Sequence, residues 1–200
     1  MVTALSIAAG CGPNAAHGGP GEQNADPPAL VFAAVPSQRP ATLQQSHQPI
    51  IEMLQKETGT RIRFQTGTDY AAVIEGLSTG KIDIAALGPF AYVRAKQLGA
   101  PISVVAARVD EKGSTPGYRA YGITWRGSPI TGLADFRGKK VCYVDPDSTS
   151  GYLYPSAALL TAGIDPEKDT TPVFAKRHDA VVLAVANRQC DAGFALDRMV

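Results

Sequence analysis

The stretch KKVCYVDPDSTSGYLYPSAALLTAG, residues 139–163, passes from a short apolar run through a hydroxyl-rich turn into a helical pattern. A strand that feeds directly into a helix is half of a βα unit, and repeated units of this kind build parallel sheets covered by helices. The turn between the two holds Ser148, Thr149, Ser150 and Gly151 in succession. Such a cluster either caps the helix, the ordinary use of Ser and Thr, or forms an oxyanion cradle. In a cradle, hydroxyls and free backbone N–H groups converge at the positive end of the helix dipole. Pro155 does not suit a regular first turn, because a proline inside a helix frees the carbonyl one turn earlier. It marks an irregular turn after Gly151.

Outward from this stretch the same alternation continues in both directions. Upstream come the apolar LVFAAV (30–35), helical ATLQQSHQPIIEMLQKETG (41–59), β-prone RIRFQT (61–66), helical DYAAVIEGLSTG (69–80) and IDIAALG (82–88). PFAYVRAKQLG (89–99) reads as the next helix and ISVVAARV (102–109) as the next strand. Gly59, Gly80 and Gly99 close the three helical stretches where a left-handed cap belongs. The rhythm breaks over residues 110–129, where a Gly/Ser/Pro loop precedes a strand-like YRAYGITW (118–125), read as a crossover between two lobes. Downstream of the opening stretch follow TPVFA (171–175), helical HDAVVLAVANRQ (178–189) and DAGFAL (191–196). The expectation is an α/β fold of two lobes, with a ligand held in the cleft between them. A tether over residues 1–28, a first lobe over 29–118 and a crossover strand with second lobe over 119–200 are the expected divisions.

Composition narrows the function. A formal net charge of +1 over 200 residues provides no basic footprint for nucleic acid and no acidic tail. No stretch reaches the roughly eighteen consecutive apolar residues of a membrane span. The first residues shift abruptly at Cys11 from short apolar sequence to a Gly/Pro/Asn/Ala-rich tract, which resembles an exported segment followed by a flexible tether. AAGC (8–11) is similar to a bacterial lipobox, which implies diacylation of Cys11 and membrane contact through that lipid. Setting Cys11 aside leaves Cys142 and Cys190, which export would permit to oxidise; a disulfide and two buried thiols both fit the sequence. Metal chemistry finds no support, because His17, His47 and His178 are isolated and the cysteines lack zinc spacing. The chain has no phosphate loop ending in Gly-Lys-Ser/Thr and no GxSxG nucleophile elbow.

Three segments together resemble a known family. DYAAVIEGLSTGKIDIAALGPFAYVRA (69–95), the run from Asp135 to Asp169 around STSG, and HDAVVLAVANRQCDAG (178–193) are similar to the phosphate/phosphite/phosphonate-binding proteins of ABC importers. The resemblance covers most of residues 30–200, in register and in order. It implies a type-II periplasmic-binding fold that captures its ligand by hinged closure of two lobes, each a mainly parallel sheet with flanking helices. It also implies that Ser148, Thr149 and Ser150 donate to phosphoryl oxygens, aided by backbone N–H groups around Gly151. Tyr70 stands where the family supplies a phenolic hydroxyl from the first lobe, and His178 where a histidine donates from the second. Asp197 is the expected acidic residue, with Asp191 as the alternative. Leu87 occupies a position where some members carry an aromatic. The ligand class implied is phosphonate, phosphite or phosphate, without a cofactor, and the partners are a permease and its ATPase. The chain ends at Val200, where a second crossover and the return to the first lobe are expected to follow, so truncation is expected.

The expectation is thus a monomeric, non-enzymatic capture lipoprotein outside the cell membrane. Two other classes compete with it: a sensory domain for the same anions, and a hydrolase using Ser148 or Ser150 with His178.

Overall fold

Residues 30–34 are apolar throughout, as a strand covered on both faces must be, and they form β1 (Leu30–Ala34), buried at its last four positions. The structure is a computed structural model and describes residues 29–200. Cys11 and the tether expected over residues 1–28 therefore lie outside the described residues. β1 is followed by α1 (Pro40–Thr58), β2 (Ile62–Thr66), α2 (Tyr70–Ser78), β3 (Ile84–Ala86) and α3 (Pro89–Gln97). The three strands form a parallel sheet in the order β2-β1-β3. Gly59, Gly80 and Gly99 adopt φ of 65°, 69° and 84°, so each helix turns out through a left-handed glycine.

The chain then crosses to β4 (Ala120–Thr124), β5 (Lys140–Tyr143), α4 (Tyr154–Thr161), β6 (Thr171–Phe174), α5 (His178–Ala186) and β7 (Ala192–Leu196). This second sheet has the order β4-β7-β5-β6. Only β4 runs antiparallel to its neighbour; β5 is parallel to both β6 and β7. This is the architecture expected of a type-II periplasmic-binding fold, two α/β lobes of mainly parallel strands with flanking helices.

One apolar core spans both lobes. Val31 and Ala33 of β1 with Tyr70, Val73 and Ile74 of α2 belong to the same buried cluster as Cys142, Val144, Val181 and Val185 of the second lobe. Residue alternation on β1 sends Phe32 to the other face, where it packs with Ile51 of α1 and Ile62. A third cluster stacks Phe136, Tyr143 and Phe194 beneath α4, with ring centroids 5.2 and 5.8 Å apart. A bond joins the sulfurs of Cys142 and Cys190, whose Cα atoms are 5.8 Å apart, and ties β5 to the turn leading into β7.

One expected element does not form. Residues 102–109 have strand composition but no strand pairing, and Val104 and Val105 are 66% and 92% exposed. Strand propensity is not intrinsic to the backbone; it records fit to a pleated, half-buried surface. Among the described residues β3 pairs only with β1, so no strand lies beside this segment.

Candidate functional site

The loop after β5 builds itself from local hydrogen bonds. Asp145 accepts the N–H of Asp147 on its carboxylate at 2.9 Å, and its carbonyl accepts the N–H of Ser148 at 2.9 Å. Ser148 then caps the coming helix, its Oγ accepting the Gly151 N–H at 3.1 Å. The chain does not enter a regular α-turn there. Residues Thr149–Leu153 wind as a π-turn, with the Leu153 N–H reaching the Ser148 carbonyl at 3.0 Å. Pro155 explains the widening: it has no N–H for the Gly151 carbonyl, which instead accepts the N–H of Val144 at 3.2 Å. Gly151 is pressed so closely on Val144 that an added Cβ would lie 2.4 Å from the nearest methyl. Ser148, Thr149 and Ser150 are thereby all buried, at 1%, 6% and 4% exposure.

The first lobe meets this loop with helix N-termini. The Tyr70 hydroxyl hydrogen-bonds the Ser148 side chain, and its backbone N–H, at the start of α2, donates to the Asp145 carboxylate. The Phe90 N–H, at the start of α3, donates to Thr149 Oγ1 at 2.9 Å, and the Tyr118 hydroxyl also bonds Thr149. At the start of α5, the His178 N–H donates to the Ser37 carbonyl at 2.9 Å, and Asp179 accepts the Arg39 N–H at 3.2 Å. Arg94 of α3 pairs with Asp147 at 3.1 Å on the rim. Helix N-termini from both lobes thus border one seam, each presenting positive potential.

Burial controls the charge states here. It pushes the Tyr70 phenol well above its ordinary value, so the ring keeps its proton. It pushes the Asp145 carboxyl up as well. It lowers His178 to about 4, the nearby Asp179 charge opposing this only partly. The imidazole is therefore neutral, and the dipole penalty that an imidazolium would incur at a helix start does not arise. His178 Nδ1 accepts the Leu196 N–H at 3.0 Å, which leaves the ring proton on Nε2 as a donor.

The structure brings Tyr70, Ser148, Thr149, Ser150 and Gly151 together, and buries His178 at the same seam, 3% exposed. Asp197 follows Leu196 at the end of β7, its two oxygens accepting the N–H groups of Arg119 and Arg198, each at 2.9 Å. Its charge acts on Tyr118, the partner of Thr149. The alternative, Asp191, stands at the other end of β7, exposed, its carboxylate accepting the Lys140 N–H at 2.8 Å. Leu87 packs against the shared core.

Comparison with known proteins decides the family. Residues 32–200 match the family described as the periplasmic substrate-binding protein of the phosphonate ABC transporter. The chain belongs to that family. The phosphate-import protein PhnD of Mycolicibacterium smegmatis is 44% identical over 182 residues, 87% of this chain and 57% of the relative. The phosphonates-binding periplasmic protein of Escherichia coli is 30% identical over 167 residues, 82% of this chain and 49% of the relative. A crystal structure of a binding-protein component of the ABC phosphonate transporter from Pseudomonas aeruginosa superposes with a TM-score of 0.74 at 27% identity, covering 87% of this chain and 59% of that one. The chain spans about half the length of the curated relatives it matches. These relatives are named as transport and binding proteins, not as enzymes.

Sequence reasoning missed Asp145 and Tyr118. Asp145 braces the second-lobe loop against the α2 backbone, and Tyr118 holds the Thr149 hydroxyl. The DPD triplet before the hydroxyls was a signal for the first, as an Asp that bonds the backbone two residues on; nothing local signalled the second.

Proposed function

We propose that this chain captures a phosphorus oxyanion, a phosphonate, phosphite or phosphate, between its two lobes on behalf of an ABC importer. The observation that carries this reading is the buried seam in which Ser148, Thr149 and Ser150 meet Tyr70 while His178 holds a proton on Nε2. Each of these groups carries a proton that it can donate, and helix N-termini supply positive potential beside them. A dianion bound there gains charge-assisted hydrogen bonds from groups already stripped of water. Because donors come from both lobes, the ligand favours the closed arrangement and shifts the population toward it. Delivery then passes to a permease and its ATPase, with the chain held outside the membrane by a lipid on Cys11.

Asp197 supplies the selectivity in this reading. A singly protonated phosphonate or phosphate can donate its P–OH to a carboxylate, whereas sulfate at neutral pH has no proton to give. Calorimetric titration of wild type and Asp197→Asn with phosphate, methylphosphonate and sulfate tests this. The expected result is phosphorus oxyanion binding without sulfate binding in wild type, and a narrowed gap in the variant. Equal binding of sulfate by wild type would overturn the selectivity assignment.

A further inference from the structure

A cavity of about 590 Å³ opens directly off the hydroxyl triad, with Thr149 and Ser150 in its wall. From there it extends between α4 and β4, walled by Tyr118, Tyr154, Pro155, Ala158, Leu133 and Phe194. Inorganic phosphate leaves this space unused, and a methyl substituent fills little more than the roughly 30 Å³ share of one water. Tyr118 links the two regions, since its hydroxyl bonds Thr149 of the cradle while the residue lines the cavity. The wall contains no carboxylate and does contain Arg119, while Asp197 stands behind it and accepts the Arg119 N–H at 2.9 Å.

We infer that this cavity is a subsite for the organic group of the ligand, and that the group is aromatic or branched apolar: an aryl or bulky alkyl phosphonate. The inference rests on the oxyanion reading of the cradle. With the phosphoryl oxygens on Ser148, Thr149 and Ser150, a substituent leaving on the Thr149 and Ser150 side enters aromatic and aliphatic surroundings. Burying an aryl ring against such walls strengthens binding at least about tenfold over a methyl group.

Calorimetric titration of the chain with phenylphosphonate, methylphosphonate, 2-aminoethylphosphonate and inorganic phosphate tests the subsite. Phenylphosphonate should bind at least about tenfold more tightly than methylphosphonate, and more tightly than 2-aminoethylphosphonate. Ala158→Phe, which fills the cavity from α4, should remove the phenyl preference. Tyr154 is 65% exposed, so Tyr154→Ala threatens folding least and should lower the same preference several-fold. Methylphosphonate binding without a phenyl preference, or a preference that survives both variants, would overturn the subsite and leave the cradle standing. A cooperatively folded chain that binds none of the four would overturn the cradle and the subsite together.

Discussion

Ser148 Oγ serves the fold and the site at once. It caps the Gly151 N–H at 3.1 Å and meets the Tyr70 hydroxyl, so its removal acts on both. Ser148→Ala should weaken oxyanion binding more than tenfold, about 1.5 kcal/mol or more for a desolvated charged hydrogen bond. Its cost to stability should be smaller, about 1 kcal/mol for the lost cap; calorimetry and a melt separate the two. His178 permits a cleaner separation. Its Nδ1 serves Leu196 and its Nε2 faces out of that contact, so His178→Asn keeps an acceptor for Leu196 while deleting the Nε2 donor. That variant should fold and lose affinity. The pH dependence has a definite sign: with the folded value about 4 against 6.5 when free, the unfolded chain binds the proton first. The stability present above pH 6.5 is therefore lost as pH falls toward 4, on the order of 3 kcal/mol in full. Asp145, pushed up by burial, acts in the opposite sense from the ordinary carboxylate value upward. The readout is thus the difference between wild type and His178→Asn in melts at pH 7 and pH 5, where wild type should lose more. Equal losses would mean that His178 is not held neutral by the fold.

At the level of elements, the proposed cradle depends on the π-turn of residues Thr149–Leu153, which buries the hydroxyl run beyond its Ser148 cap. Pro155 gave that irregularity away in the sequence, and the paired bond from Val144 to the Gly151 carbonyl is its physical resolution. Gly151→Ala would place a methyl 2.4 and 2.5 Å from Val144 side-chain atoms. It should destabilise by at least about 2 kcal/mol, overpacking against a buried strand end, and denaturant unfolding checks this. The disulfide bridges a sequence separation of 48. By loop entropy its loss in a Cys142→Ala, Cys190→Ala double variant should cost about 4 kcal/mol. Strands and helices of both lobes were legible because each has one dominant period, and α1 to α4 are each followed by a glycine stop, whereas α5 turns out through Arg188 at φ 58°. The strand expected over residues 102–109 was not, since composition there says β while pairing depends on a neighbour that the described residues do not provide.

Across the whole molecule, the site exists only where the lobes meet. Tyr70 and Ser148 are 78 residues apart in sequence, and so their hydrogen bond, like those of Phe90 with Thr149 and of His178 with Ser37, reflects long-range contact. For this reason motif reading singled out the hydroxyls and His178, yet could not see the Asp145 brace or the Tyr118 contact. It also left Asp197 and Asp191 as alternatives, which β7 sets at opposite ends. The rim pairs Arg94–Asp147 and Arg39–Asp179 are partly exposed and contribute little, about 0–1 kcal/mol each. In the proposed reading, ligand-driven closure therefore has to come from the buried donors. The most direct measurement is thermal unfolding of residues 29–200 with phosphate, phosphite, methylphosphonate and sulfate, since a ligand that binds only the native state raises the midpoint. A midpoint raised by at least one phosphorus oxyanion and left in place by sulfate is the expected result. A cooperative melt that none of the four moves would contradict the assignment of this seam as an oxyanion site.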